Sequence, residues 1–347
     1  MLQLENQTPF AASLVPMNDA SGTANVIAIV KATYDIEAGQ RLKLAAEQRP
    51  IELVDRPRGE PGLSSVIYES DVALFKPGTD LVLVGDAHAP GGRTVTELDV
   101  HFGVDRWEKS VRVTGDRAWY RAGREFRATS PLPFATMPLV YERAFGGTDT
   151  TSPDPRQHAW EPRNPVGTGF RAGTATLERH PLPNLEDPRA PIRAWTDRPA
   201  PQGFGFLGRH WSPRAAFAGT YDGEWERTRA PLLPADFDNR YFQAAAPGLI
   251  ATPHLHGGER VRARYVSPAA PLIELDLPGH RVAVAAHFRT GPAQLGTALL
   301  DTLVLFAGEA QLVLVWRAHF VCPGSLYNLF AVEVTPEGAT PRRPGPV

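Results

Sequence analysis

The residues able to do chemistry in this chain are few and scattered. His254 and His256 lie two apart in PHLHGG, a spacing that puts both on one face of a strand, within reach of a shared metal. No Cys or carboxylate cluster lies near them in sequence to complete a site, so they read as turn histidines. Gly203-Phe204-Gly205-Phe206-Leu207-Gly208 matches G-x-G-x-x-G. The dinucleotide fingerprint needs a strand before it and a helix after it. Here RPAPQ precedes and RHWSPR follows, so these read as loop glycines packed by aromatic plugs. Asp236 and Asp238, with Arg240, present two carboxylates and a guanidinium, an arrangement shared by acid–base pairs, Asx turns and ion-paired loop anchors. His319 and Cys322 end an apolar run, where a buried, inert thiol is the common state. There is no nucleophile elbow, P-loop or zinc-type Cys spacing. The expectation is no metal, no cofactor and no catalytic residue.

What the sequence does concentrate is aromatics and arginines on proline-rich stretches. Residues 131–250 hold 17 of the 34 prolines and four of the seven tryptophans. Disordered segments are poor in aromatics, and proline disfavours both regular helix and central strand. The segment therefore reads as long, irregular and ordered, and loops of that length are usually functional. Tyr141, Arg143, Phe145, Trp211, Arg214, Tyr221 and Arg229 are the residue types enriched as anchors in protein interfaces. They are the expected partner-binding residues, with segments 138–147 and 203–243 framing the site. Arg143 and Arg214 are the better surface candidates of the set, since arginine is rarely buried unless paired. Some of the aromatics, with Trp225 and Phe242, must instead form a core beneath the loops.

Around that middle, strand patterns must supply the scaffold. Residues 24–36, 65–76, 79–90, 94–103 and 108–120 are rich in β-branched and alternating apolar residues, with Pro-Gly, Gly-Gly and Gly-Asp steps between them. Residues 258–266, 272–278, 280–288, 297–306 and 310–321 repeat the pattern and suggest a meander; 293–306 also suits a short buried helix. The fold class expected is all-β: antiparallel sandwich- or barrel-like lobes, few helices, and a long ordered Pro/Gly/aromatic-rich middle. One interleaved domain is expected over 1–336 (β-rich 1–130, Pro-rich 131–250, β-rich 251–336), with a disordered tail at 337–347.

A net charge of −2 and a charged fraction of 21% give no reason to expect nucleic acid or anionic lipid as partner. The single cysteine, Cys322, rules out an intrachain disulfide. The opening residues lack the charged and apolar regions of a signal peptide, and Asp301 and Glu309 interrupt the longest apolar stretch. The expected compartment is the cytoplasm.

Longer strings resemble a known family: residues 138–147 (PLVYERAFGG), Asn164-Pro165-Val166-Gly167, Leu182-Pro183-Asn184-Leu185-Glu186, Trp211-Ser212-Pro213-Arg214, Tyr221-Asp222, Trp225, Arg229, 231–234 (PLLP), Asp236-Phe237-Asp238 and Phe242-Gln243. The opening up to about Tyr34, Asp301-Thr302-Leu303 and Trp316-Arg317 fit as well. The family is a bacterial domain of unknown function encoded beside type VI secretion effectors, VgrG spikes and PAAR tip proteins. The resemblance implies a non-enzymatic adaptor-chaperone that holds an effector and helps load it onto the VgrG–PAAR spike; it brings no catalytic residues. The alternatives are a hydrolase of carbohydrate or ester type using Glu142, Asp236 or Asp238, and a carbohydrate-binding β-sandwich.

Overall fold

A computed structural model of the chain describes residues 2–338. Strands dominate it, and the one α-helix among these residues is the short Gly223–Thr228. Asp222 caps that helix, its carboxylate accepting from the Glu224 and Trp225 amides, which satisfies donors that a helix start leaves without partners.

The largest sheet has the strand order Ile250–Ala251, Thr79–Val84, Leu299–Phe306, Gln311–Val321, Ala24–Ile36, Ala11–Asn18, with Leu42–Leu44 also pairing to Ala24–Ile36. The run 24–36 is a strand over the range its β-branched residues predict, and residues 25–34 are buried without interruption. A strand covered on both faces needs such a continuous apolar run. A four-stranded sheet follows the order Gln3–Asn6, Leu329–Pro336, Val282–Phe288, Gln294–Thr297. A five-stranded sheet runs Leu185–Glu186, Trp107–Thr114, Glu97–Val104, Arg260–Arg264, Leu272–Asp276.

The all-β class holds, with differences in detail. Pairing is mostly antiparallel, but Thr79–Val84 runs parallel to Leu299–Phe306, and Gln3–Asn6 parallel to Leu329–Pro336. None of the three sheets closes into a barrel. The C-terminal strands do not form one meander. Their three hairpins go in turn to the five-, four- and seven-stranded sheets, because each has its own apolar face to bury and the chain must change layers between them. Residues 294–297 and 299–306 are strands rather than a helix, joined through the buried Ala298.

Strands from the two ends of the sequence pair directly, and one apolar cluster extends from Phe10 to Val334 through all three sheets. A second, small core of Trp119, Leu177 and Leu182 lies under the hairpin Trp119–Ala122/Glu125–Ala128. Of the tail expected at 337–347, residues 339–347 lie outside the described residues. Glu337 is not free chain: its N–H donates to the Arg281 carbonyl and its carboxylate pairs with the Arg281 guanidinium, both at 3.0 Å.

Candidate functional site

The Pro-rich middle is held by its own motifs. Asn164 is buried, and its Nδ2 donates to the carbonyls of Tyr141 (2.8 Å) and Phe145 (3.1 Å). Its backbone oxygen accepts from the Gly147 and Gly167 amides. A Cβ on Gly146 would sit 2.1 Å from that oxygen, and one on Gly167 2.4 Å from Asn164 Nδ2, so both positions need glycine. Asn184 plays the matching part, donating to Thr114 O and Asp116 Oδ1 (both 2.9 Å) and accepting from Arg143 Nη1 (2.9 Å). The strings that resemble a family are thus largely those that bond one another.

The glycines of 203–208 behave as loop glycines against aromatic rings. A Cβ on Gly203 would meet the Tyr141 ring at 2.9 Å, and one on Gly208 the Trp211 indole at 2.7 Å.

Of the seven expected partner-binding residues, four are interior. Tyr141, Phe145 and Trp211 belong to the core, with Tyr141 and Trp211 edge to face at 5.3 Å. Arg214 is only 2% exposed; it pairs with Glu69 at 2.5 Å and donates to the carbonyls of Leu207 and Tyr241. These four present no surface to a partner, which corrects the reading of their residue types as anchors: the loops need a core beneath them. Arg143 is half-buried on Asn184, and Arg229 is half-buried with donors on the Ala20 and Leu233 carbonyls. Tyr221 is the exposed member, packed edge to face on the half-buried Trp225 at 4.7 Å.

The other candidates sit in bonded positions. His254 Nε2 contacts the Lys76 carbonyl at 2.8 Å, and the amides of His256 and Gly257 donate to Glu259. No group of His, Cys, Asp and Glu among the described residues is arranged to hold a metal ion. Asp236 accepts from the Thr220 amide and hydroxyl; Asp238 caps a turn and pairs with Arg240 at 2.6 Å. Glu142 receives the Ser65 amide and hydroxyl, one on each oxygen at 2.7 Å. Burial raises the pKa of Cys322.

A buried set of ion pairs escaped the sequence reading. Lys31 pairs with Asp71 (2.9 Å), Lys76 with Asp80 (2.7 Å), Arg317 with Asp301, and Arg214 with Glu69. Glu69 also meets Arg209 (3.2 Å), which reaches Asp55 (3.1 Å). Thr302 links two of these pairs, accepting from Lys76 at 3.0 Å and donating to Asp301 at 3.0 Å. Arg317 Nε donates to the Asp71 carbonyl, and Asp80 takes the amides of Ala244 and Ala245. Burial, only partly offset by Asp71, lowers the pKa of Lys31; burial and then Asp71 raise that of Tyr68. At Arg317 burial opposes the charge, but Asp301 and Asp71 outweigh it and raise the pKa.

Five cations face five carboxylates, so the set is neutral and internally bonded. A signal existed: Lys31, Asp80, Asp301 and Arg317 each stand alone inside an apolar run. Residues 69–76 form no strand although their composition suits one, because Glu69, Asp71 and Lys76 turn inward to these partners.

Lys76, Asp301 and Arg317 line the floor of a groove of about 570 Å³ walled by Leu74, Phe75, Leu299 and Phe320. Its roof is the strand Gln294–Thr297, whose other side borders a second cavity of about 340 Å³ against Val284 and Thr335. Gln294–Thr297 ends the strand order of its sheet. Its sequence, QLGT, carries neither charge nor proline, the devices that protect edges from added strands. Other edges have them: Ala11–Asn18 contains Pro16, and Leu272–Asp276 is laced by Arg260–Asp276 (2.8 Å) and Arg262–Glu274 (3.2 Å). Leu295 is 71% exposed beside the groove, and Leu299 and Val321 are also exposed. Gln294 Nε2 donates to the Val321 carbonyl at 3.1 Å, tying the strand to the groove's rim.

Over residues 21–317 the sequence matches the family described as "Uncharacterized protein conserved in bacteria (DUF2169)". The chain belongs to that family. The match takes in the Pro-rich middle, the buried ion pairs from Lys31 to Arg317 and the groove's lining except Ala318, His319 and Phe320. No curated protein and no solved structure matches the chain. No helix among the described residues is long and apolar enough to cross a membrane.

Proposed function

We propose that this protein is a non-enzymatic adaptor that binds another protein by accepting an extended segment of it at the edge strand Gln294–Thr297. The observation that carries this reading is that unprotected edge, with a cavity on each face and exposed leucines beside it. A strand added to a free edge gains main-chain hydrogen bonds, and its alternate side chains enter pockets on opposite faces. Residue i of the guest enters the larger groove and residue i+1 the smaller cavity, so the guest alternates side chains of unequal size.

The resemblance to secretion adaptors supplies the guest: a segment of a type VI effector, held in the cytoplasm and delivered to the VgrG–PAAR spike. Binding only the assembled or folded form of the guest stabilises it by mass action. Against the hydrolase alternative, Glu142, Asp236 and Asp238 are each engaged in structural hydrogen bonds. Against a sugar-binding face, the exposed aromatics Tyr120, Trp160, Tyr221 and Tyr327 belong to four separate segments.

The test is the double variant Leu295→Glu, Thr297→Lys, co-expressed with the effector encoded beside the gene. Exposed substitutions of this kind change stability by less than about 0.5 kcal/mol, so the protein stays folded while effector recovery falls about tenfold, a loss of ~1.4 kcal/mol. Undiminished recovery from a folded variant places the effector elsewhere and overturns the reading.

A further inference from the structure

The chain has four lysines, and three are in ion pairs: Lys31 and Lys76 inside, Lys43 with Glu37 at the surface (3.2 Å). Lys109 differs. It lies on the strand Trp107–Thr114 at a core-facing position, in register with the buried Phe102 and two residues before the buried Val111. That stripe of an antiparallel sheet normally carries apolar side chains. Among the described residues Lys109 has no ion-pair or hydrogen-bond partner; Asp187 acts on its amine only through space.

The open edge of the strand explains where the side chain goes. Leu185–Glu186 pairs with Arg112 and Val113 and covers the strand no further toward its start. Beyond that cover lies a cavity of about 510 Å³ onto which Lys109, Asp187, His101, Ser110 and Gln202 open. Its remaining wall includes Pro188, Pro201 and Pro247, residues without a backbone donor. A volume in this range suits a small-molecule ligand. Burial, offset in part by Asp187, lowers the amine's pKa to about 8, so a substantial fraction of it is neutral near physiological pH.

From the unpaired amine, its inward register and the cavity that Lys109 lines, we infer that Lys109 is the reactive group of a binding site for a small aldehyde or ketone, held as an imine. The amine nitrogen attacks the carbonyl carbon, an N–C bond forms and the carbonyl oxygen becomes a hydroxyl. One of the two N–H protons passes to that oxygen in making the hydroxyl; the nitrogen then loses its one remaining proton as the C–O bond breaks and the hydroxyl, taking up a proton, leaves as water, so no oxidant or reductant is required. Asp187, which lines the same cavity and acts on the amine, is the group available to pass a proton to the departing oxygen. This site is separate from the edge strand Gln294–Thr297 and does not depend on the adaptor reading.

The experiment treats the full chain at pH 7.5 with propanal and sodium cyanoborohydride and maps the alkylated lysines by peptide mass spectrometry. An amine with a pKa near 8 has roughly 200 times the neutral fraction of an ordinary lysine at that pH. Allowing for the lower nucleophilicity of weaker bases with a Brønsted slope of about 0.45, Lys109 labels about fifteenfold faster than the exposed Lys43. Its rate saturates with propanal concentration, and Lys31 and Lys76 remain unlabelled. Lys109→Met abolishes the fast phase and leaves Lys43 labelling unchanged. Labelling of Lys109 no faster than Lys43, or a rate that rises linearly without saturation, overturns the site.

Discussion

Replacing Arg214 by alanine separates a structural arginine from a binding one. The side chain is buried, and the substitution removes its ion pair to Glu69 together with donors to the Leu207 and Tyr241 carbonyls. Breaking a buried pair by deleting one partner costs about 3–5 kcal/mol, because the other charge is left in a poorly solvated place. Glu69 retains Arg209 at 3.2 Å, and Arg209 is itself held by Asp55, which puts the cost at the lower end, about 3 kcal/mol. At roughly 2 °C per kcal/mol for a large domain, Tm falls by about 6 °C. Arg143→Ala is the comparison. That side chain is partly exposed, and its bonds to Asn184 and Asp116 are made at the surface of the middle segment, so its loss costs about 1 kcal/mol and about 2 °C. The assay is thermal unfolding of both variants beside the parent, repeated with Glu69→Gln and with the Glu69→Gln, Arg214→Ala double variant. Coupling between the two positions appears as a double-variant loss smaller than the sum of the single losses. If Arg214→Ala melts within about 1 °C of the parent, the buried pair does not hold the loop and the structural assignment fails.

Gly208→Ala drives a methyl group to 2.7 Å from the Trp211 indole; overpacking of this kind costs about 1–3 kcal/mol, read as a lower denaturant midpoint at unchanged m-value. Stability also has an acid limb to which His180 contributes. Burial, and after it Arg171, lowers the His180 pKa to about 4, against about 6.5 in the unfolded chain. Between those values the unfolded state binds a proton that the folded state does not, so this contribution is fully present above pH 6.5 and is lost as pH falls toward 4. His180→Gln therefore flattens the fall in Tm between pH 6.5 and 4 relative to the parent, and an identical slope in the two proteins removes His180 from that role.

The sequence by itself determined the fold class, most strand positions and the ordered state of the middle. Alternating or continuous apolar runs are local properties, and the run 24–36 became a strand with those bounds. The glycines of 203–208 were also legible as close-approach positions, since the strand and helix that a nucleotide loop requires are missing on either side. Sheet membership was not legible: the hairpins after residue 258 alternate in the same way, and only packing against distant partners sends them to three different sheets. Nor could residue type separate core from surface in the middle segment. Trp211 and Tyr221 belong to equally aromatic strings, yet one is wholly buried and the other exposed, because the difference lies in what Tyr141 and Trp225 bring against them. Arg214 is buried because Glu69, 145 positions earlier, is there to receive it. The edge strand Gln294–Thr297 is plain in composition, and only the strand order and the cavities on its two sides make it a candidate site. Local pattern fixes which residues want burial. Which partners meet them, and which edge remains open, is decided by pairings across hundreds of residues that no short window contains.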